Sequence, residues 1–205
     1  MDEDVRAALL RQWDLIADAA PQIDLSAPSR VAGWRNREVL AHLSAQPYLL
    51  LRFLESESSA EPAVRATENL AGTKAYRELI DASAREGAAR NKIDLRVAVT
   101  RARTSVLHAD VGATIETLQG SISVADYLVT RCVEAVVHGG DLVDPVAPDP
   151  VAQAIVSTAL LDLLAATAPD LAAEARALPF AEWIDVATGR AVASGPLAAA
   201  TPVML

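Results

Sequence analysis

The stretch Tyr127-Leu128-Val129-Thr130-Arg131-Cys132-Val133-Glu134-Ala135-Val136-Val137-His138-Gly139-Gly140-Asp141-Leu142 decides how this chain folds. Tyr127, Arg131, Glu134, His138 and Asp141 recur at intervals of four, three, four and three, which puts all five on one face of an α-helix. Leu128, Val129, Val133, Val136 and Val137 occupy the other faces and suit burial. The polar stripe is therefore not the solvent side of a one-sided helix. The pattern predicts a helix from Val124 to about Val143, capped by Ser123 and stopped by Pro145.

Working outward, the helical period recurs. Val5, Leu9, Trp13, Ile16 and Ala20 line one face of a helix over 2–20, which Pro21 ends. A connection rich in turn formers, with Pro28 and Gly33, leads into a helix over 36–55 for which Asn36 is the expected N-cap. The polar stretch 56–68 reads as a loop long enough to act as a mobile cover. Helices are expected over 73–91 and 95–109, the second ended by Gly112. Alternating Ile115, Thr117 and Gln119 suggest a short strand or extended connection within 113–121. After the Pro-rich run 145–150, a nearly all-apolar helix over 151–167 must be well covered, a short helical piece follows at 171–177, and 180–205 shows no long helical period. With 52% hydrophobic and only 4% aromatic residues, the core is left to Ala, Val and Leu. Such a core favours closely packed helices, so the expected fold class is all-α.

The net charge of −9 disfavours a phosphate backbone as partner, since nucleic-acid binders carry a basic face. Met1-Asp2-Glu3-Asp4 is unlike a secretory signal, and the most apolar stretch, 151–168, is interrupted by Gln153 and Asp162. These features, with a single cysteine, Cys132, that excludes an internal disulfide, predict a soluble cytoplasmic protein with neither nucleic-acid nor membrane partners. A monomer and a homodimer fit equally.

Glu134 and His138, one turn apart, can reach a single ion, and zinc accepts imidazole nitrogen and carboxylate oxygen. A third ligand must come from elsewhere. The chain has three His. His42 lies mid-helix within Val39-Leu40-Ala41-His42-Leu43, where an unpaired imidazole costs desolvation. His108 is the rival, but it ends its helix beside Asp110, where a cationic His simply meets the helix C-terminus. Spacing alone also allows a hydrogen-bonded Glu–His pair and a satisfied core His42. No nucleophile elbow, phosphate-binding loop, dinucleotide fingerprint or Cys-x-x-Cys competes with the metal reading.

Gly33-Trp34-Arg35-Asn36-Arg37-Glu38-Val39-Leu40-Ala41-His42-Leu43 resembles the G-W-x-x-x-x-V-x-A-H-L signature of mycothiol-dependent maleylpyruvate isomerases, members of the DinB/YfiT-like superfamily. The stretch 127–142 is similar to their second signature, R-x-x-E-x-x-x-H-x-x-D-L. The resemblance covers about residues 1–145 and implies a DinB-like four-helix bundle whose zinc, or other divalent metal, is held by His42, Glu134 and His138. It further implies a low-molecular-weight thiol such as mycothiol as co-substrate. A departure follows: these isomerases carry a second, α/β domain that contributes an arginine, whereas only residues 151–205 follow the Pro-rich run here. Trp183-Ile184-Asp185-Val186-Ala187-Thr188-Gly189-Arg190 is similar to a W-x-x-x-A-T-G-R fragment of sterol-carrier-like C-terminal domains. That departure argues against maleylpyruvate isomerisation itself.

The expected organisation is thus a metal-binding bundle over 1–145, with 146–205 a short C-terminal helix and irregular or short-strand extension packed on the bundle, a small α/β addition being one form it can take. Asp141 is expected to fix an imidazole, and Arg131 either anchors a substrate or thiol carboxylate or pairs with Glu134. The leading functional expectation is a zinc-dependent thiol transferase or isomerase-like enzyme acting on a small-molecule thiol and an electrophile. The other reading left open is a non-catalytic metal- or small-ligand-binding bundle.

Overall fold

In a computed structural model describing residues 2–58 and 60–204, the apolar stripes close on a common core. The elements run α1 (Asp2–Ala19), α2 (Asn36–Leu54), β1 (Glu57–Ser58), α3 (Ala66–Gly72), α4 (Arg77–Ala89), α5 (Leu95–His108), β2 (Thr114–Thr117), β3 (Gly120–Ser123), α6 (Val124–Gly140), α7 (Pro150–Thr167), α8 (Ala172–Ala177), α9 (Phe180–Ala187) and α10 (Leu197–Ala200). The long helices α1, α2, α5 and α6 form the expected bundle: α1 packs on α5 and α6, and α2 packs on the same two. Leu9, Trp13, Ile16, Leu43, Ala98, Ala102, Leu128 and Val133 are wholly buried between them. Small Ala side chains on α5 let the helix axes approach, and each larger apolar side chain withdrawn from water contributes about 1.5–3 kcal/mol.

The stretch 113–121 is not one strand. β2 and β3 form an antiparallel hairpin about Leu118-Gln119, with Gly120 at φ 115°, and β1 adds on the other edge of β2. Ile115 and Ile122 sit opposite each other and are fully buried. The stretch 56–68 is likewise not all loop, since it contains β1 and the first turn of α3. The helix expected over 73–91 is split into a 3-10 turn, Thr73–Tyr76, and α4.

The C-terminal stretch departs most from expectation. Among the described residues it contains α7 to α10 and no strand, so the small α/β addition gives way to helices. Asp149 caps α7 by accepting from the amides of Val151 and Ala152, and Pro150 opens the helix where no amide is needed. By length and apolarity α7 meets the criteria for a membrane span. Here Ala152, Val156, Leu160 and Leu164 are buried, and the helix packs on α6 and α1. Trp183 of α9 is buried in the same core, and α9 packs on α7.

Candidate metal centre

The site begins at a turn. Gly33 takes φ 81°, a left-handed conformation that favours glycine, and the chain then enters α2. The cap of α2 is Arg35 rather than Asn36: the Arg35 amide donates to Glu38 Oε2 at 2.8 Å. Asn36 is the first helical residue and is buried. Its amide donates to the Asp24 carbonyl, and its Oδ1 accepts from the Val143 amide, which ties the entry of α2 to the exit of α6.

That tie sets α2 beside α6 and brings His42 to Glu134 and His138. His42 Nε2 lies 2.8 Å from Glu134 Oε2, and His138 Nε2 lies 3.6 Å from the same oxygen. One candidate ligand atom from each of the three falls within 4.8 Å of the other two. Two atoms bound to one tetrahedral zinc at about 2.0–2.1 Å are about 3.4 Å apart, so these spacings straddle the value a metal requires. His42 and Glu134 are buried, and His138 is partly so.

Protonation also fits a cation. Asp141 Oδ2 accepts from His138 Nδ1 at 2.8 Å, which leaves His138 Nε2 as a lone pair facing Glu134. Gln46 accepts from Arg131 through Oε1, so its amide nitrogen faces His42 Nε2 at 3.0 Å. If His42 Nε2 accepts from Gln46, it meets the Glu134 carboxylate lone pair to lone pair. A cation taking both the nitrogen and the oxygen removes that opposition. Burial pushes the Glu134 carboxyl up, but with protonated imidazoles in place of an ion the hydrogen bond from His42 and the charges of His42, His138 and Arg131 hold it well below the usual carboxylate range. Burial likewise favours neutral His42, the form a metal requires.

Asp141 is 1% exposed. Burial raises its pKa, but hydrogen bonds from His138 and Arg190 bring it down to about 2. Arg190 reaches it as a fork, Nε at 3.0 Å and Nη2 at 2.7 Å. Arg190 follows Gly189, which has φ 73°, just past the end of α9. Sequence reasoning assigned Arg190 no part in this site; its sole signal is the Ala-Thr-Gly-Arg fragment. Two further residues were missed. Gln46 sits one turn after His42, and Trp34 places its indole 5.7 Å from the His42 ring and 6.1 Å from the His138 ring, centre to centre. Trp34 Nε1 donates to Asp81 at 2.7 Å, which fastens α4 over the site.

The remaining candidates separate cleanly. His108 is exposed at the end of α5, its Nδ1 donating to the Thr104 carbonyl, and it does not join the cluster. Arg131 makes no ion pair with Glu134; it donates to Gln46 and lies 4.7 Å from the Tyr127 ring centre. Cys132 is buried 3.9 Å from the Val5 carbonyl, and burial pushes its thiol up to about 12, so it is an inert core residue.

Two clefts open onto the triad. One, of about 610 Å³, is lined by His42, Glu134 and His138 together with Trp34, Arg77, Asp81 and Arg190. The other, of about 300 Å³, meets His42 and Glu134 from the side of Arg131. Another hollow, of about 660 Å³ against α2 and α4, touches none of the three. Convergent titratable groups, rather than size, mark the site.

No curated protein and no solved structure matches the chain. Among protein families, residues 6–143 match the mycothiol maleylpyruvate isomerase N-terminal domain, a match that spans the bundle and every member of the His42–Glu134–His138 cluster. The chain belongs to the mycothiol maleylpyruvate isomerase N-terminal domain family.

Proposed function

We propose that the protein is a divalent-metal, zinc-preferring enzyme that joins a low-molecular-weight thiol of the mycothiol type to an electrophile. The observation that carries this reading is the convergence of His42, Glu134 and His138 at the base of a cleft, with Asp141 holding the tautomer of His138. Three protein ligands leave a position for an exogenous group. When bound, the metal lowers the pKa of a coordinated thiol so that the nucleophilic thiolate persists at neutral pH. Asp141 and Arg190 keep His138 Nε2 aimed at the centre, and Trp34 walls the two imidazoles from water. Arg30, Arg77, Glu78 and Asp81 give the larger cleft a mixed polar lining suited to a hydrophilic thiol.

Cobalt substitution tests this. A low-molecular-weight thiol added to the cobalt protein should produce a near-ultraviolet thiolate-to-metal band that saturates with thiol and survives Cys132→Ala. Cobalt bound without a band for any thiol would leave a non-catalytic metal-binding bundle as the reading.

A further inference from the structure

We infer that the partner of the thiol is a carboxylate carried on an apolar chain or ring, held in the smaller cleft with its carboxylate on Arg131. This rests on the thiol-enzyme reading and specifies the second substrate.

The two clefts that share His42 and Glu134 differ in chemistry. In the larger one three charged pairs are already made, Arg190 on Asp141, Arg30 on Asp185 and Asp81 on Arg85, and Arg77 and Glu78 bring one further charge of each sign. The smaller is walled by Leu49, Phe53, Leu79 and Tyr127, with Leu118 at its edge. Leu79 is 56% exposed and Leu118 69% exposed, so two leucines stand in water where they border the same cleft. These side chains make one wall apolar, while Asn69, Thr73 and Gln119 leave the opposite rim polar, so the cleft suits a ligand with an apolar body and a polar head.

Among the described residues Arg131 is the one arginine or lysine lining this cleft, and no carboxylate lies within ion-pair distance of it, Glu134 acting on it only through space. It is nevertheless held in place: Nε donates to Thr130 Oγ1 at 3.3 Å, Nη1 donates to Gln46, and the guanidinium lies over the Tyr127 ring. Among the described residues Nη2 has no hydrogen-bond acceptor. An oriented guanidinium without a directly paired carboxylate beside an apolar wall matches a carboxylate head on an apolar body. The link Arg131–Gln46–His42 places that head one side chain away from the metal cluster. A volume of about 300 Å³ is at the small end of ligand sites.

Calorimetric titration of zinc-loaded protein with octanoate, 1-octanol and acetate tests the assignment. Octanoate should bind at least tenfold more tightly than either of the others. Arg131→Gln should erase its advantage over octanol, and Arg131→Lys should retain part of it. Leu118→Asp, which changes a side chain exposed at the β2–β3 turn and leaves the backbone bond from Tyr76 intact, should weaken octanoate about tenfold. Acetate binding as tightly as octanoate would overturn the apolar half of the inference. An octanoate preference that survives Arg131→Gln would place the carboxylate on the metal and overturn the other half. The cobalt–thiolate band reads the underlying function separately: a band without octanoate binding sinks this inference alone, whereas octanoate binding without a band sinks the thiol reading and leaves the cleft assignment standing.

Discussion

Replacing Asp141 with Asn separates metal binding from fold stability, because this carboxylate serves both. Asp141 accepts from His138 Nδ1 and from the Arg190 fork, and its side chain is 2% exposed against 14% for Arg190. Asn offers one acceptor oxygen to these three donors and turns an amide toward the others, so Arg190 keeps its charge in a site that no longer neutralises it. Removing one partner of a buried pair costs about 3–5 kcal/mol. In a chain of this length that corresponds to a melting temperature lower by roughly 6–20 °C. The looser His138 ring should weaken metal binding about 10–100-fold, as loss of an orienting carboxylate does elsewhere. Thermal denaturation of metal-free protein reads the first effect, and competition against a chromophoric chelator reads the second. The double variant Asp141→Asn/Arg190→Met should regain much of the stability, since the stranded charge is gone, but none of the affinity. A folded Asp141→Asn protein that binds zinc as tightly as the parent would refute the orienting role.

Metal removal should act through mass action: at a free zinc concentration 100-fold above Kd the bound ion adds about 2.7 kcal/mol, so chelation lowers the melting temperature while circular dichroism stays helical. His42→Ala and His138→Ala should each lose most of the metal by elemental analysis and His108→Ala should keep it; full retention in His42→Ala sinks the site. Asp149 gives a pH dependence remote from the metal. Its pKa is lowered from the ordinary 3.8 chiefly by the hydrogen bond from Arg11, against burial and with help from the Ala152 and Val151 amides. A depressed folded value means the stabilisation is present above pH 3.8 and lost as pH falls through the lower folded value. Denaturant titrations should therefore find Asp149→Asn less stable than the parent at pH 7, with the gap closing in acid, and a gap independent of pH would contradict the assignment.

The bundle is legible in the sequence because α1, α2, α5 and α6 each bury one face, and a single buried face forces apolar residues into the 3.6-residue period. Val5, Leu9, Trp13 and Ile16 announce α1 for that reason, and all four are buried. The period fails where burial has another cause. The alternation of Ile115, Thr117 and Gln119 reads as one strand because it runs on through the hairpin turn, and nothing local marks Leu118-Gln119 as a reversal except the Gly120 that follows. Asn36 looks like a cap because its side chain can accept from free amides, yet tertiary packing offers it the Val143 amide and the Asp24 carbonyl instead.

The candidate site divides along the same line. Glu134, His138 and Asp141 lie on one helix, so their spacing alone puts them on one face, and a buried imidazole one turn from a carboxylate already implies the Asp141–His138 bond. Distance along the chain hides the rest. Arg190 reaches Asp141 from 49 residues away because Trp183 anchors α9 in the core and Gly189 lets the chain turn back beyond it. Neither step has a periodic signature. Yet the need that Arg190 meets is present in the stripe itself: a carboxylate with two oxygens, buried at the end of α6 and satisfied on one side by a single imidazole N–H, must find a second donor or lose its charge. The family match ends at residue 143, just past Asp141. In this chain the donor comes from outside that match, so the C-terminal helices complete the orientation of His138 as well as cover α7.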